Sequence, residues 1–225
     1  MLDKLNPEQK KAVTAGDGQV LIIAGAGSGK TSVLAHRVAY LIREKKAAPW
    51  QILALTFTNK AAREMRQRIE NLLNEPTGGL WMGTFHSICL RILRMEVKHT
   101  SMQPDFLVYD QDDCRSICKK LIKAAGIEDK KLTPQALLSL ISDAKNKLVS
   151  PAQMQSDADN HWHRTIAALY KSYQEQLRLN NALDFDDLLS QTQQLLAANQ
   201  EICLKYAKRF RYILVDEYQD TNRCQ

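Results

Sequence analysis

The sequence has no apolar run approaching the ~20 residues that a membrane-spanning helix needs, which excludes an integral α-helical membrane protein. Its opening residues, MLDKLNPEQKK, lack the apolar segment of a secretory signal. The five cysteines, Cys89, Cys114, Cys118, Cys203 and Cys224, are odd in number and widely scattered, unlike a disulfide framework. These absences together predict a cytoplasmic chain with no membrane partner. Internal repeats and low-complexity tracts are missing too, which excludes a solenoid or a disordered linker. Cys114 and Cys118 stand four apart, on one face if that segment is helical, and His161 and His163 complete a conceivable zinc set. Zinc fingers favour a tighter Cys–Cys spacing with a nearby His pair, so free thiols on a packed helix are the plainer reading.

What is present is ordinary for a globular protein: 225 residues, 44% hydrophobic and 25% charged. That length fits one domain, or one domain with an insertion, and buries a good core. A net charge of +6 and a pI near 9.0 permit a polyanionic partner such as nucleic acid without establishing one. Lysines on solvated helix faces explain the same excess.

The first part of the chain alternates strand and helix signals. Gln19–Ala24 (QVLIIA) is a short β-branched run that stops at glycines, and predicts a buried strand. Lys30–Arg43 carries helical apolar spacing at Val33, Leu34, Val38, Leu41 and Ile42. Ile52–Phe57 (ILALTF) predicts a second buried strand, and Asn59 can cap a helix running to about Leu73. Leu80–Phe85 predicts a third strand, followed by a helix over His86–Lys98. This order implies a parallel sheet covered by helices. From about Thr100 to Leu183 strand signals of that strength stop. Asp110 can cap a helix that Gly126 ends, Thr133-Pro134 starts another, and a third spans roughly Trp162–Leu179. Asp184 can then cap FDDLLSQTQQLLAAN, and a further helix leads into a strand at Tyr212–Val215. The expected domains are 1–99 and 184–225 for an α/β layer, split by an all-helical insertion at 100–183.

AGAGSGKT, Ala24–Thr31, lies between a predicted strand and a predicted helix, the context required of a phosphate-binding loop. Gly25, Gly27 and Gly29 permit backbone conformations that turn amide N–H groups inward. The start of the helix adds its positive dipole end. Lys30 would reach the β- and γ-phosphates of ATP, and Thr31 would place its hydroxyl on Mg2+. The usual first glycine of the motif is Ala24 here, a mild change because the tight turns fall on the later glycines. Ala24, Gly25, Ala26, Gly27, Ser28, Gly29, Lys30 and Thr31 are therefore the expected nucleotide-binding residues. Far away in sequence, YILVDE ends an apolar strand in Asp216 and Glu217. A strand parallel to the one before the loop would bring both acids to the carboxyl edge of the sheet, where open α/β sheets bind ligands. Asp216 would hold Mg2+, and Glu217 would orient and deprotonate an attacking water.

LNPEQKKAV, AGAGSGKT, TFTNKAAREM, GTFHSICLRILR, LDFDDLL and VDEYQDTN occur here in one order. That order resembles the UvrD/Rep/PcrA family of superfamily-one DNA helicases, and the resemblance covers essentially the whole chain. It implies a RecA-like P-loop fold and an ATP-driven motor that moves 3′ to 5′ on single-stranded DNA and separates duplex at single/double-strand junctions. It implies that Gln9 reads adenine, although Gln9 also occupies the reciprocal position of a helix capping box opened by Asn6. It places Phe57, Thr58, Asn59, Arg66, Thr84, Phe85 and His86 on a single-stranded DNA surface, where stacking is worth ~1–3 kcal/mol per base. For Phe57 and Phe85, plain core packing is the competing reading. Ser32 replaces the arginine that many members carry after the loop threonine. Asp184, Asp186 and Asp187 of LDFDDLL suit capping and domain joining better than catalysis. The resemblance also implies a C-terminal RecA-like half bearing arginine fingers, beyond the motifs seen here. These residues alone are accordingly expected not to unwind DNA, and the sheet edge at Tyr212–Val215 is expected to lack a neighbour. A module that binds ATP or single-stranded DNA without turnover is the other open class. TFTNKAAREM disfavours a kinase or transporter, and no nuclease motif supports a RecB-like enzyme.

Overall fold

The computed structural model describes residues 1–25, 27–127 and 132–225. Asn6 opens helix α1 (Pro7–Thr14): its side chain accepts from the Gln9 N–H and the Gln9 side chain accepts from the Asn6 N–H. Proline at the first helical position has no N–H to leave unsatisfied there. Helix α2 (Lys30–Arg43) buries a stripe of Val33, Ala35, Val38 and Leu41, the 3.6-residue period expected from sequence. Strand β1 (Ile52–Thr56) is buried along its whole length. Helix α3 (Asn59–Leu73) is capped by Thr58, whose hydroxyl accepts from the Ala61 N–H. Asn59, expected as the cap, is instead the first helical residue. Strand β2 (Trp81–Thr84) runs directly into helix α4 (Phe85–Met95), with a short 3-10 turn at Val97–His99.

The segment 100–183, expected to be all-helical, contains strand as well. A two-residue strand β3 (Leu107–Val108) precedes α5 (Gln111–Ala124), α6 (Pro134–Asn146), α7 (Pro151–Ser156) and α8 (His161–Leu179). It pairs in parallel with β4 (Ala182–Leu183), through N–H donation from Leu107 to the Asn181 carbonyl and from Tyr109 to the Leu183 carbonyl, both at 2.8 Å. Two residues are too few to imprint an alternating pattern. Asp110, Thr133, Ser150 and Asn160 cap the four helices, and Gly126 (φ 63°) adopts the left-handed turn just past α5. Asp184 caps α9 (Phe185–Ala198) in a reciprocal box with Asp187; α10 (Gln200–Arg209) and strand β5 (Tyr212–Val215) follow.

The described residues form two compact units. The first comprises 1–88 and 200–220. Its sheet is parallel throughout, in the order β2-β1-β5, with Leu53 opposite both Trp81 and Ile213. Helices flank it: α2 and α3 pack Val38, Leu41, Met65 and Ile69 against Ile52 and Leu80. Trp81 meets Tyr206 and Phe210 of the α10 segment edge-on, with ring centroids 6.2 and 5.1 Å away. The second unit, 89–199 with 221–225, is built around Cys114, Cys118, Leu137, Ile141, Tyr173 and Leu177.

The predicted strand at Gln19–Ala24 is absent. Val20, Leu21 and Ile23 are exposed, Ile23 at 89%, and these residues join no ladder. A run this apolar suits a strand covered on both faces and paired on both edges. The three-stranded sheet has edges at β2 and β5, with Ile213 of β5 60% exposed, and pairing at either would still leave the run's other edge bare. Among the described residues no three His, Cys, Asp or Glu side chains form a metal cluster. Cys114 and Cys118 are buried core thiols, pushed by burial up to about 11 and about 12, and the His163 ring contacts Asp159 at 2.6 Å. No described helix is long and apolar enough to cross a membrane.

Candidate functional site

The three parallel strands end at one edge of the sheet, and the functional motifs leave from there. β1 delivers Phe57-Thr58-Asn59, β2 delivers Thr84-Phe85-His86, and β5 delivers Asp216-Glu217. Asp216 continues the ladder one step past β5, its N–H donating to the Leu55 carbonyl at 2.9 Å. This fixes a carboxylate that is only 5% exposed.

The glycine loop reaches the same place. Gly27 (φ 75°) and Gly29 (φ 84°) take left-handed conformations that cost L-residues roughly 1–2 kcal/mol. Gly29 immediately precedes α2, so the loop turns straight into the helix N-terminus. Ser28 closes the turn, with its N–H and hydroxyl both donating to the Gly25 carbonyl. The Lys30 ammonium donates to the carbonyls of Ala24 and Gly25 at 3.0 and 3.2 Å, so the lysine sits inside the loop it follows. Ala26 lies outside the described residues.

Thr31 and Asp216 meet. The Thr31 hydroxyl donates to Asp216 Oδ2 at 3.0 Å across 185 positions of sequence. Asp216 Oδ1 accepts the N–H of Glu217 at 3.1 Å. Glu217 itself has φ 49°, a left-handed backbone that a side chain pays for in strain and that clusters at functional sites. Its carboxylate accepts from the Gln219 amide, which also donates to Asp220 at 3.2 Å. A buried carboxylate and a hydroxyl make a hard oxygen-donor pair, the chemistry Mg2+ requires.

Gln9 is in its capping box, and its amide nitrogen also donates to the Ser28 carbonyl at 3.0 Å, tying α1 to the loop. A cavity of about 430 Å3 adjoins it, lined by Gln9, Ser28, Lys30 and the exposed run from Val20 to Ala24. The Ser32 hydroxyl lies 3.4 Å from His36 Nδ1, one turn along α2.

On the neighbouring loops the expected DNA residues divide. Phe57 is 37% exposed, whereas Phe85 is 8% exposed; their rings touch edge-on at 6.0 Å. Phe85 is thus mainly a core residue that props Phe57. The side-chain oxygens of Thr58 and Thr84 cap local turns, accepting from Ala61 and Ser87. Asn59 is exposed, and Arg66 and His86 are half-buried.

Sequence reading missed three groups. Gln219 holds Glu217; Arg37 on α2 grips the backbone after α1; and Lys145 is buried between Asp184 and Asp187 at 2.6 and 2.8 Å. Only the last had a signal, the apolar positions flanking Lys145 on α6. The reading of LDFDDLL as capping groups holds for Asp184 and Asp187, and the ion pair adds to it.

A parallel α/β layer thus carries a glycine loop at a helix start and ties it to an acid at the strand edge. The chain belongs to the UvrD/REP helicase N-terminal domain family, whose description it matches over residues 5–225. It is similar to the ATP-dependent DNA helicase PcrA of Bacillus subtilis (strain 168), at 45% identity over all 225 residues, which span 30% of that protein. It is equally similar, at 45%, to the ATP-dependent DNA helicase PcrA of Staphylococcus aureus (strain Mu50 / ATCC 700699), spanning 31% of it. The chain therefore covers about a third of the length of these curated relatives.

Proposed function

We propose that this chain is the ATP-binding part of a 3′–5′ DNA helicase, a RecA-like P-loop domain at 1–99 and 184–225 with an insertion at 100–183. The observation that carries the reading is the Thr31–Asp216 contact, which joins the glycine loop to the strand-end acid. The loop from Gly25 to Thr31 binds the phosphates of ATP through backbone N–H groups, and Lys30 moves from the Ala24 and Gly25 carbonyls to the β- and γ-phosphates. Thr31 and Asp216 hold Mg2+, which supplies charge neutralisation at the phosphates. Glu217, oriented by Gln219, accepts the proton of the attacking water. Gln9 contacts adenine with the amide valences its capping box and Ser28 leave free. Phe57 stacks on a base of single-stranded DNA, Asn59, Thr58 and Thr84 meet phosphate, and Arg66 and His86 add to that surface. Turnover coupled to unwinding, and engagement of single/double-strand junctions, would draw on the C-terminal RecA-like half that the resemblance implies. The cytoplasm is the proposed compartment.

A second reading, binding without turnover by these 225 residues, has its own support: the segment leading into the loop is not held in the sheet. Steady-state ATP hydrolysis with and without single-stranded DNA separates the two. DNA-stimulated hydrolysis lost in Lys30→Ala and Glu217→Gln supports the first. Binding of ATP analogue and DNA with no hydrolysis supports the second. Neither binding nor hydrolysis contradicts both, and strand displacement by the 225-residue chain contradicts the need for a second half.

A further inference from the structure

The phosphate loop is carried on a segment with no ladder of its own. Val20, Leu21 and Ile23 are exposed while Ile22 packs against the cluster of Leu5, Val13 and Val33, and beyond that one contact the run is placed by what holds its two ends. At the loop end, Lys30 holds the Ala24 and Gly25 carbonyls and Gln9 holds the Ser28 carbonyl. The other end is held by groups that the phosphate motif does not include. Arg37, two turns along α2 from the loop, turns its guanidinium onto the backbone just after α1. Nη1 donates to the Val13 carbonyl at 2.8 Å and to the Ala15 carbonyl, and Nη2 donates to the Gly16 carbonyl at 3.2 Å. Next in sequence, Asp17 accepts from the Tyr212 hydroxyl at 2.6 Å and lies 3.6 Å from Arg211. Tyr212 is the first residue of β5, the strand that ends in Asp216 and Glu217.

This arrangement has a consequence for the site. α2 begins at the loop and carries Arg37; β5 ends at the acids and carries Tyr212. The two elements that bear Thr31 and Asp216 thus also clamp the entry to the segment between α1 and the loop. A planar guanidinium satisfies three carbonyls from one rigid fork, which a lysine ammonium on a flexible stem does not reproduce. The charge-assisted bond from Tyr212 holds the Asp17 carboxyl below its ordinary range.

We propose that Arg37 and the Tyr212–Asp17 pair are positioning residues for nucleotide binding, fixing the segment Gly18–Ala24 so that the phosphate loop is presented in register with Asp216. The inference rests on the ATP-binding reading above. None of the three touches the phosphates; they act through the segment's position, which also forms one wall of the cavity beside Gln9.

The test uses the 225-residue chain and a fluorescent ATP analogue with Mg2+. Tyr212→Phe removes a single exposed hydroxyl and leaves the ring, so the fold is retained, and thermal unfolding checks this. Asp17→Asn keeps an acceptor for that hydroxyl. Arg37→Lys keeps the charge and loses the fork. Tyr212→Phe and Arg37→Lys are expected to weaken analogue binding roughly three- to tenfold, the scale of one net intramolecular hydrogen bond, with unfolding still cooperative and the melting temperature lowered by only a few degrees. Asp17→Asn is expected to stay within about twofold of the parent. Chymotryptic cleavage after Leu21 should accelerate in the two weakened variants, a readout that a remote packing defect would not localise. Equal analogue binding by Tyr212→Phe and the parent, or unchanged cleavage after Leu21, overturns the inference and leaves the ATP-binding reading standing. Failure of the parent itself to bind the analogue overturns that reading and the inference with it.

Discussion

Replacing Lys145 by Met tests a buried cluster of three charges, Lys145 with Asp184 and Asp187. The lysine side chain is 1% exposed, and its ammonium lies 2.6 Å from Asp184 and 2.8 Å from Asp187. Tyr173 donates its hydroxyl to Asp184 at 2.9 Å, and Gln174 donates to Asp187 at 3.2 Å. Asp186, Tyr170, Cys114 and Cys118 are further titratable groups around the cluster. Burial pushes Asp187 up to about 6, while the Lys145 charge holds Asp184 below its ordinary range despite burial. Methionine matches the stem of lysine but leaves two carboxylates without their cation. Removing one partner of a buried ion pair costs about 3–5 kcal/mol, on the order of 10–20 °C in melting temperature for a unit of this size. The sign of the pH dependence follows. Without Lys145 both carboxyls have folded-state values above their unfolded ones, so the folded state binds more protons. The stability of the variant therefore rises as pH falls through those raised values. Thermal unfolding followed by circular dichroism at pH 8 and pH 5 should show a large deficit at pH 8 that narrows at pH 5. A deficit under about 1 kcal/mol at pH 8, or one that widens toward acid, would mean that Lys145 does not compensate the two buried acids.

Phe57 and Phe85 should part company under truncation: Phe57→Ala weakens single-stranded DNA binding by ~1–3 kcal/mol with little loss of stability, while Phe85→Ala costs about 3–5 kcal/mol of stability. Fluorescence anisotropy and urea unfolding measure the two. The thiols should react in a fixed order with a disulfide reagent at pH 8. Exposed Cys203 reacts fast, whereas Cys89, Cys114 and Cys118, pushed by burial to about 11, about 11 and about 12, wait for unfolding.

Local chemistry carried the helices. The apolar stripe from Val33 to Leu41, the Thr133-Pro134 start and the Asp110 and Asp184 caps each specify their element within a few residues, and Lys30–Arg43 forms over its expected span. Pairing carried less. Gln19–Ala24 has the composition of a buried strand, but a strand exists only when another edge receives it, and composition cannot supply that edge. The Leu107–Val108 and Ala182–Leu183 pair fails to register for the opposite reason, having a partner but almost no length. At the site, the glycine loop and the acids at Asp216 and Glu217 were readable because backbone geometry and charge restrict those positions to few residue types. Arg37 and Gln219 were not, because any long polar side chain looks the same in sequence, and only the fold reveals which carbonyl or carboxylate it reaches.

The central claim is that Lys30, Thr31 and Asp216 form one nucleotide–Mg2+ site. Calorimetry of a non-hydrolysable ATP analogue against the 225-residue chain, with and without Mg2+ and with Lys30→Ala alongside, tests it most directly. The account predicts binding that Mg2+ strengthens and that Lys30→Ala abolishes. Binding that is indifferent to Mg2+, or that survives in Lys30→Ala, would contradict it.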